Sequence, residues 1–135
     1  MSRRICYGFV FLGVMATSAS AAPPNPIEQR YTREYHQCMD NTGDVDSATA
    51  DCLNSEIERQ DARLNQAYVM VMRGLAPAPK AALRDSERTW VRQRDLQCKR
   101  QAADELGGTL YGVMLAGCQL DETIKRTMFL ERYPR

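Results

Sequence analysis

The chain of 135 residues carries 18 Lys+Arg against 17 Asp+Glu and a single histidine, for a formal charge of +1. Such balance argues against a nucleic-acid partner, and one histidine leaves little for catalysis or metal ligation. A chain this short makes one domain, whose modest core gives covalent staples real weight.

Arg3 and Arg4 precede an apolar run from Ile5 to Val14 and then small residues through Ala22, the layout of a secretory signal peptide. The run is too short to cross a bilayer as a helix. Ala19-Ser20-Ala21 offers a small-x-small cleavage site, so residues 1–21 are expected to be removed, leaving a domain over 22–135 with its core over 38–130. Cys6 lies at the start of the apolar run and not at the cleavage point, which makes it a poor acylation site, and it leaves with the signal. What remains has 16 Lys+Arg against 17 Asp+Glu and no membrane span, and is expected in the periplasm or outside the cell. Its four cysteines, an even number in an exported chain, favour two disulfides over metal ligation.

Asn25-Pro26-Ile27-Glu28 reads as a helix start, with Asn25 as cap and Pro26 at the first position, and the helix should run to about Met39. Turn chemistry over Asp40–Asp44 breaks it. A second helix starts at Asp46 or Ser47 and runs to about Arg73, stopped by Gly74 and the Pro77–Pro79 segment. The third, over Lys80–Arg100 and on to about Leu106, places Leu83, Glu87, Trp90, Arg94 and Cys98 on one face. Because two charges share that face with the only tryptophan, each should need a partner from another segment. Gly107-Gly108 closes this helix, and Thr109 caps a fourth that carries Tyr111, Leu115, Cys118, Ile124 and Leu130. The expected fold is all-α, a small antiparallel bundle of about four helices.

Residues equidistant from a hairpin turn lie side by side in antiparallel helices. Cys98 and Cys118 are symmetric about Gly108, and Cys38 and Cys52 about Val45, so of three possible connectivities these two pairs are preferred. The same symmetry about Pro77–Pro79 sets Asp61 opposite Arg94, Asn65 opposite Trp90 and Tyr68 opposite Glu87. It predicts a structural polar cluster in which Arg94 pairs with Asp61 and the Tyr68 hydroxyl donates to Glu87.

Cys52, Asp61, Leu64-Asn65 and Tyr68, then Leu83, Glu87, Trp90, Arg94-Asp95 and Cys98, and finally Cys118, Thr123, Arg126 and Leu130 resemble the lysozyme inhibitor LprI-like family. Glu87 stands where that family often shows Gln. The resemblance implies a helical, disulfide-bonded domain outside the cytoplasm that binds lysozyme or a related cell-wall hydrolase without catalysing a reaction and without a cofactor. Charge distribution suggests where. Seven acids from Asp40 to Asp61, among them Asp40, Asp44, Asp46 and Asp51, face Arg59 alone, a net −6 suited to a basic protein. The alternative is a non-inhibitory envelope module using the basic face of the third helix, where Lys80, Arg84, Arg88, Arg92, Arg94, Lys99 and Arg100 outnumber three acids. An enzyme is disfavoured: His36 has no serine or free cysteine nearby to activate, and Glu56 and Glu58, two apart on a helix, point different ways.

Overall fold

A computed structural model describes residues 23–134, and the expected signal segment, residues 1–21, lies outside the described residues. Four α-helices follow in order: α1 (Arg33–Met39), α2 (Asp46–Gly74), α3 (Pro77–Gln101) and α4 (Leu110–Glu131). No strand occurs among the described residues, so the all-α expectation holds. Both disulfides form as the hairpin symmetry requires, with Cα atoms 5.7 Å apart in Cys38–Cys52 and 5.5 Å in Cys98–Cys118. No described helix is long and apolar enough to cross a membrane.

Consecutive long helices run antiparallel, which sets α4 parallel to α2. The Thr109 hydroxyl, at the start of α4, donates to Asp46 at the start of α2, while Leu130 near the end of α4 packs with Leu64 and Val71. α4 is the element that the other two long helices share. Its Ala116, Leu120 and Ile124 form one core cluster with Leu53 of α2. Its Leu130 joins Leu64, Val71 and Leu83 in a second, flanked by Tyr68 and Trp90. By contrast α3 is mostly solvated, burying only Leu83 and Cys98. The stretch with the most distinctive side chains is therefore a cover on the bundle and α4 is its centre.

Three boundaries differ from the sequence reading. The first expected helix is split: Asn25 does accept the Ile27 N–H (3.0 Å), but only a 3-10 turn over Glu28–Arg30 follows. The chain then extends through Tyr31, and Thr32 caps α1 by accepting the Tyr35 N–H at 3.1 Å. The proline segment starts α3 instead of separating it from α2. Pro77 occupies the first helical position, where its missing N–H costs nothing. At the other end α3 stops at Gln101, and a 3-10 turn over Ala103–Glu105 replaces its expected last turn. Gly107 follows with φ +89°, a conformation that a residue with a Cβ would resist.

Candidate functional site

The acidic stretch divides once side chains are placed. Asp40, Asp44 and Asp51 are exposed around the turn that Cys38–Cys52 staples, and Glu58 is exposed farther along α2. Asp46 is partly covered and accepts a hydrogen bond from the Thr109 hydroxyl, which ties this turn to the α3–α4 connection. Glu56 and Asp61 leave the surface charge. Burial raises the Asp61 carboxyl above the usual aspartate range, with Arg94 pulling the other way. The outward acidic face is thus smaller than the sequence count, and it is concentrated at the α1–α2 end.

Glu56 is fully buried and is the one residue of this stretch whose role the sequence reading missed. Its carboxylate accepts from the Thr32 backbone N–H (3.0 Å), the Thr32 hydroxyl (2.5 Å), the Gln60 amide (2.7 Å) and Arg59 (3.1 Å). Gln60, also buried, donates to the Arg30 carbonyl at 2.8 Å. These bonds dock the N-terminal segment on α2 and explain why the helix breaks at Thr32, whose N–H is taken by a side chain from another element. A bidentate ion pair from Arg30 to Glu131 (2.9 and 2.6 Å) fastens the same segment to the end of α4 and holds the Glu131 carboxyl below its ordinary range.

The expected polar cluster is gathered in one region with different partners. Among the described residues no ion pair joins Arg94 to Asp61. Arg94 instead pairs with Asp95 (2.9 Å), donates to the buried Thr123 hydroxyl of α4 (3.3 Å) and lies 5.1 Å from the Trp90 ring centroid. Glu87 pairs with Arg126 of α4 at 2.7 Å, and no hydrogen bond from Tyr68 reaches it. Arg126 also lies over Trp90 (5.7 Å) and Phe129 (4.5 Å). The physical cause is α4: hairpin symmetry treated α2 and α3 as direct neighbours, whereas both pack chiefly on α4, where Glu87 finds Arg126 and Arg94 finds the Thr123 hydroxyl, while the carboxylate paired with Arg94 is its own neighbour Asp95. The symmetry still placed the right residues around one space. Asn65 and Tyr68 from α2 face Arg84, Glu87, Arg88 and Trp90 from α3 across an open groove of about 270 Å³.

Glu87, the least exposed charge lining this groove, is matched by Arg126, and Arg94 by Asp95, so the cluster is built as a brace. The basic face of α3 is likewise reduced: Arg94 turns inward, while Arg84, Arg88, Arg92, Lys99 and Arg100 remain exposed. His36 is exposed beside the Tyr31 and Tyr35 rings. Among the described residues no group of three or more His, Cys, Asp or Glu side chains has the geometry to hold a metal ion.

A curated relative, described as uncharacterized protein R02472 of Rhizobium meliloti (strain 1021), is 27% identical over 93 residues, covering 59% of this chain and 67% of its own. No solved structure matches the chain. The family described as lysozyme inhibitor LprI matches residues 38–130, a span that begins and nearly ends on the stapled bundle, with Cys38 at its first position and buried Leu130 at its last. With both disulfides, the Trp90 brace and the α4 core inside that span, the chain belongs to the lysozyme inhibitor LprI family.

Proposed function

We infer that this protein is an exported binding protein that inhibits lysozyme or a related cell-wall hydrolase, and that it acts by occupying its target and not by catalysis. Family membership supports the class of target. The observation that carries the reading is the set of exposed carboxylates at the end held by Cys38–Cys52, Asp40 and Asp44 on the turn between α1 and α2 and Asp51 beside Cys52 in α2. Many lysozymes are strongly basic, and an acidic, covalently fixed end attracts such a protein over a distance comparable to the Debye length, about 8 Å at physiological salt. Fixing the turn before contact also lowers the ordering cost of binding. Two disulfides and the signal-like segment over residues 1–21 fit an oxidising compartment beyond the inner membrane, where cell-wall hydrolases work.

The test is lysis of a bacterial cell-wall suspension by several lysozymes, with and without the oxidised protein, at low and moderate salt. Dose-dependent inhibition that weakens with salt, and weakens further in Asp44→Lys, is the expected result. No inhibition of any lysozyme removes this reading and leaves the exposed arginines of α3 as the feature to pursue, in a non-inhibitory envelope module.

A further inference from the structure

The α3–α4 connection presents Leu106 to solvent at 75% accessibility, more than any other large apolar side chain among the described residues. A lone exposed leucine needs no explanation, but this one stands on an ordered turn. The N–H groups of Glu105, Leu106 and Gly108 donate to the carbonyls of Ala102, Ala103 and Glu105 at 3.0, 3.2 and 2.9 Å. Buried Ala102 anchors one side of the turn, and Cys98–Cys118 links the helices that flank it.

Leu106 also has apolar company. The bond from Thr109 to Asp46 draws this turn to the start of α2, and a Cβ placed on Gly112 would lie 3.8 Å from that of Ala50, so the first turns of α4 and α2 are in close contact. Leu110 follows Thr109 and Val45 precedes Asp46, and both are exposed. A residue advances the chain by at most about 3.8 Å, so these side chains and Leu106 share one end of the molecule. Asp44, Asp51 and Asp104 are exposed on the same elements, while Lys99 and Arg100, on the last turn of α3, are the cations nearest to the turn along the chain. Protein contact surfaces combine an apolar centre with a polar rim, and this end of the molecule offers both kinds of group, with acids outnumbering cations among the charges named.

We propose that this composite end is the contact surface for a basic cell-wall hydrolase, with Leu106 as its apolar anchor, Val45 and Leu110 beside it, and Asp44, Asp51 and Asp104 as its acidic rim. The proposal rests on the inhibitor reading above and adds the α3–α4 turn to it. Division of labour follows from the chemistry. Rim carboxylates set the association rate and its salt dependence, and burial of Leu106 sets the dissociation rate.

The test is surface plasmon resonance of the oxidised protein against a basic lysozyme, paired with the lysis assay. Leu106→Asp and Leu106→Ser are expected to weaken binding at least about tenfold, equivalent to about 1.4 kcal/mol, mainly through faster dissociation. Asp104→Lys is expected to slow association and flatten its salt dependence. Met70→Asp, an exposed site toward the far end of α2, should leave both rates unchanged. Leu106 is exposed, so its variants should keep the wild-type melting temperature, which circular dichroism checks. If the wild-type protein binds and inhibits while Leu106→Asp matches it, this surface is wrong and the inhibitor reading survives. Equal weakening by Met70→Asp also overturns the surface. If the wild-type protein neither binds nor inhibits any lysozyme, both inferences fall.

Discussion

Replacing Glu56 by alanine tests whether a single buried carboxylate docks the N-terminal segment. The substitution strips the Thr32 N–H of its acceptor and leaves the Thr32 hydroxyl and Gln60 amide each one bond short. Gln60 keeps the Arg30 carbonyl, and the hydroxyl still accepts from the Tyr35 N–H, so the full penalty falls on one backbone donor and a partial one on two side chains. A buried donor left unpaired costs about 1–3 kcal/mol, which puts the total near 3 kcal/mol, at the lower edge of the range for breaking a buried polar network. For a domain of this size the midpoint of thermal unfolding should fall by roughly 10 °C. Glu56→Gln retains one carbonyl acceptor and should cost less than half as much.

Hydrogen exchange makes the test local. Cys38–Cys52 holds the end of α1 against α2 even when its start is released, so protection should be lost first over Thr32–Met39 while the centre of α4 keeps its protection. A Glu56→Ala protein within about 0.5 kcal/mol of wild type in urea unfolding would refute the argument. So would loss of protection spread evenly through α4, because that would make Glu56 a general core residue and not a clamp.

Four further variants probe the remaining supports. Replacing Cys98 and Cys118 together by serine opens a loop with a sequence separation of 20 residues, and should lower stability by about 3 kcal/mol in denaturant titration while leaving the helical circular dichroism signal of the folded protein in place. Arg126→Ala leaves Glu87 largely buried, at 15% exposure, without its partner, and should cost about 2–3 kcal/mol, whereas reversing the exposed Arg88 should cost under about 0.5 kcal/mol in the same assay. Asp61→Asn should stabilise the protein at neutral pH. An acid whose carboxyl is raised by burial penalises the fold wherever it is ionised, so the gain in melting temperature should shrink as pH falls through the folded-state value and vanish below the ordinary aspartate range. Equal melting temperatures across that pH series would contradict it.

The two disulfides and most helix limits were legible because they depend on local relations. Cys98 and Cys118 lie equally far from Gly108, Gly74 ends α2, and the Asp40–Asp44 turn separates α1 from α2. What escaped the sequence depends on contacts between distant segments. The break at Thr32 is imposed by Glu56, 24 residues away, and nothing in Asn25–Glu28 announces it. Arg94 and Glu87 were correctly read as needing partners, but hairpin symmetry can only nominate residues from the adjoining helix. Apart from Asp95, which pairs with its neighbour Arg94, the partners came from α4, whose apolar length made it the surface on which α2 and α3 both settle. Of the acidic stretch, the exposed Asp40, Asp44 and Asp51 were legible from charge, but Glu56 looked like one more surface acid until its four donors were placed.

That distribution separates the residues that identify the family from those of the contact surface proposed above. Most residues carrying the resemblance, among them Cys52, Leu64, Tyr68, Leu83, Glu87, Trp90, Arg94, Cys98, Cys118, Thr123, Arg126 and Leu130, are occupied by disulfides, core packing or the Trp90 brace, whereas Asn65 is exposed. An inhibitor's selectivity has to reside in groups that are still available to a partner. On the contact surface proposed above those groups are Asp44, Asp104 and Leu106 on the turns and Asp51 near the start of α2, none of which belongs to the motif. A protein built this way can keep its frame while its target changes. Exchange of the two turns, residues 40–45 and 103–108, between this chain and a relative with a different target should therefore transfer inhibition with little change in stability. Exchange of Trp90 or Arg126 should do the reverse, lowering stability while leaving the identity of the target unchanged.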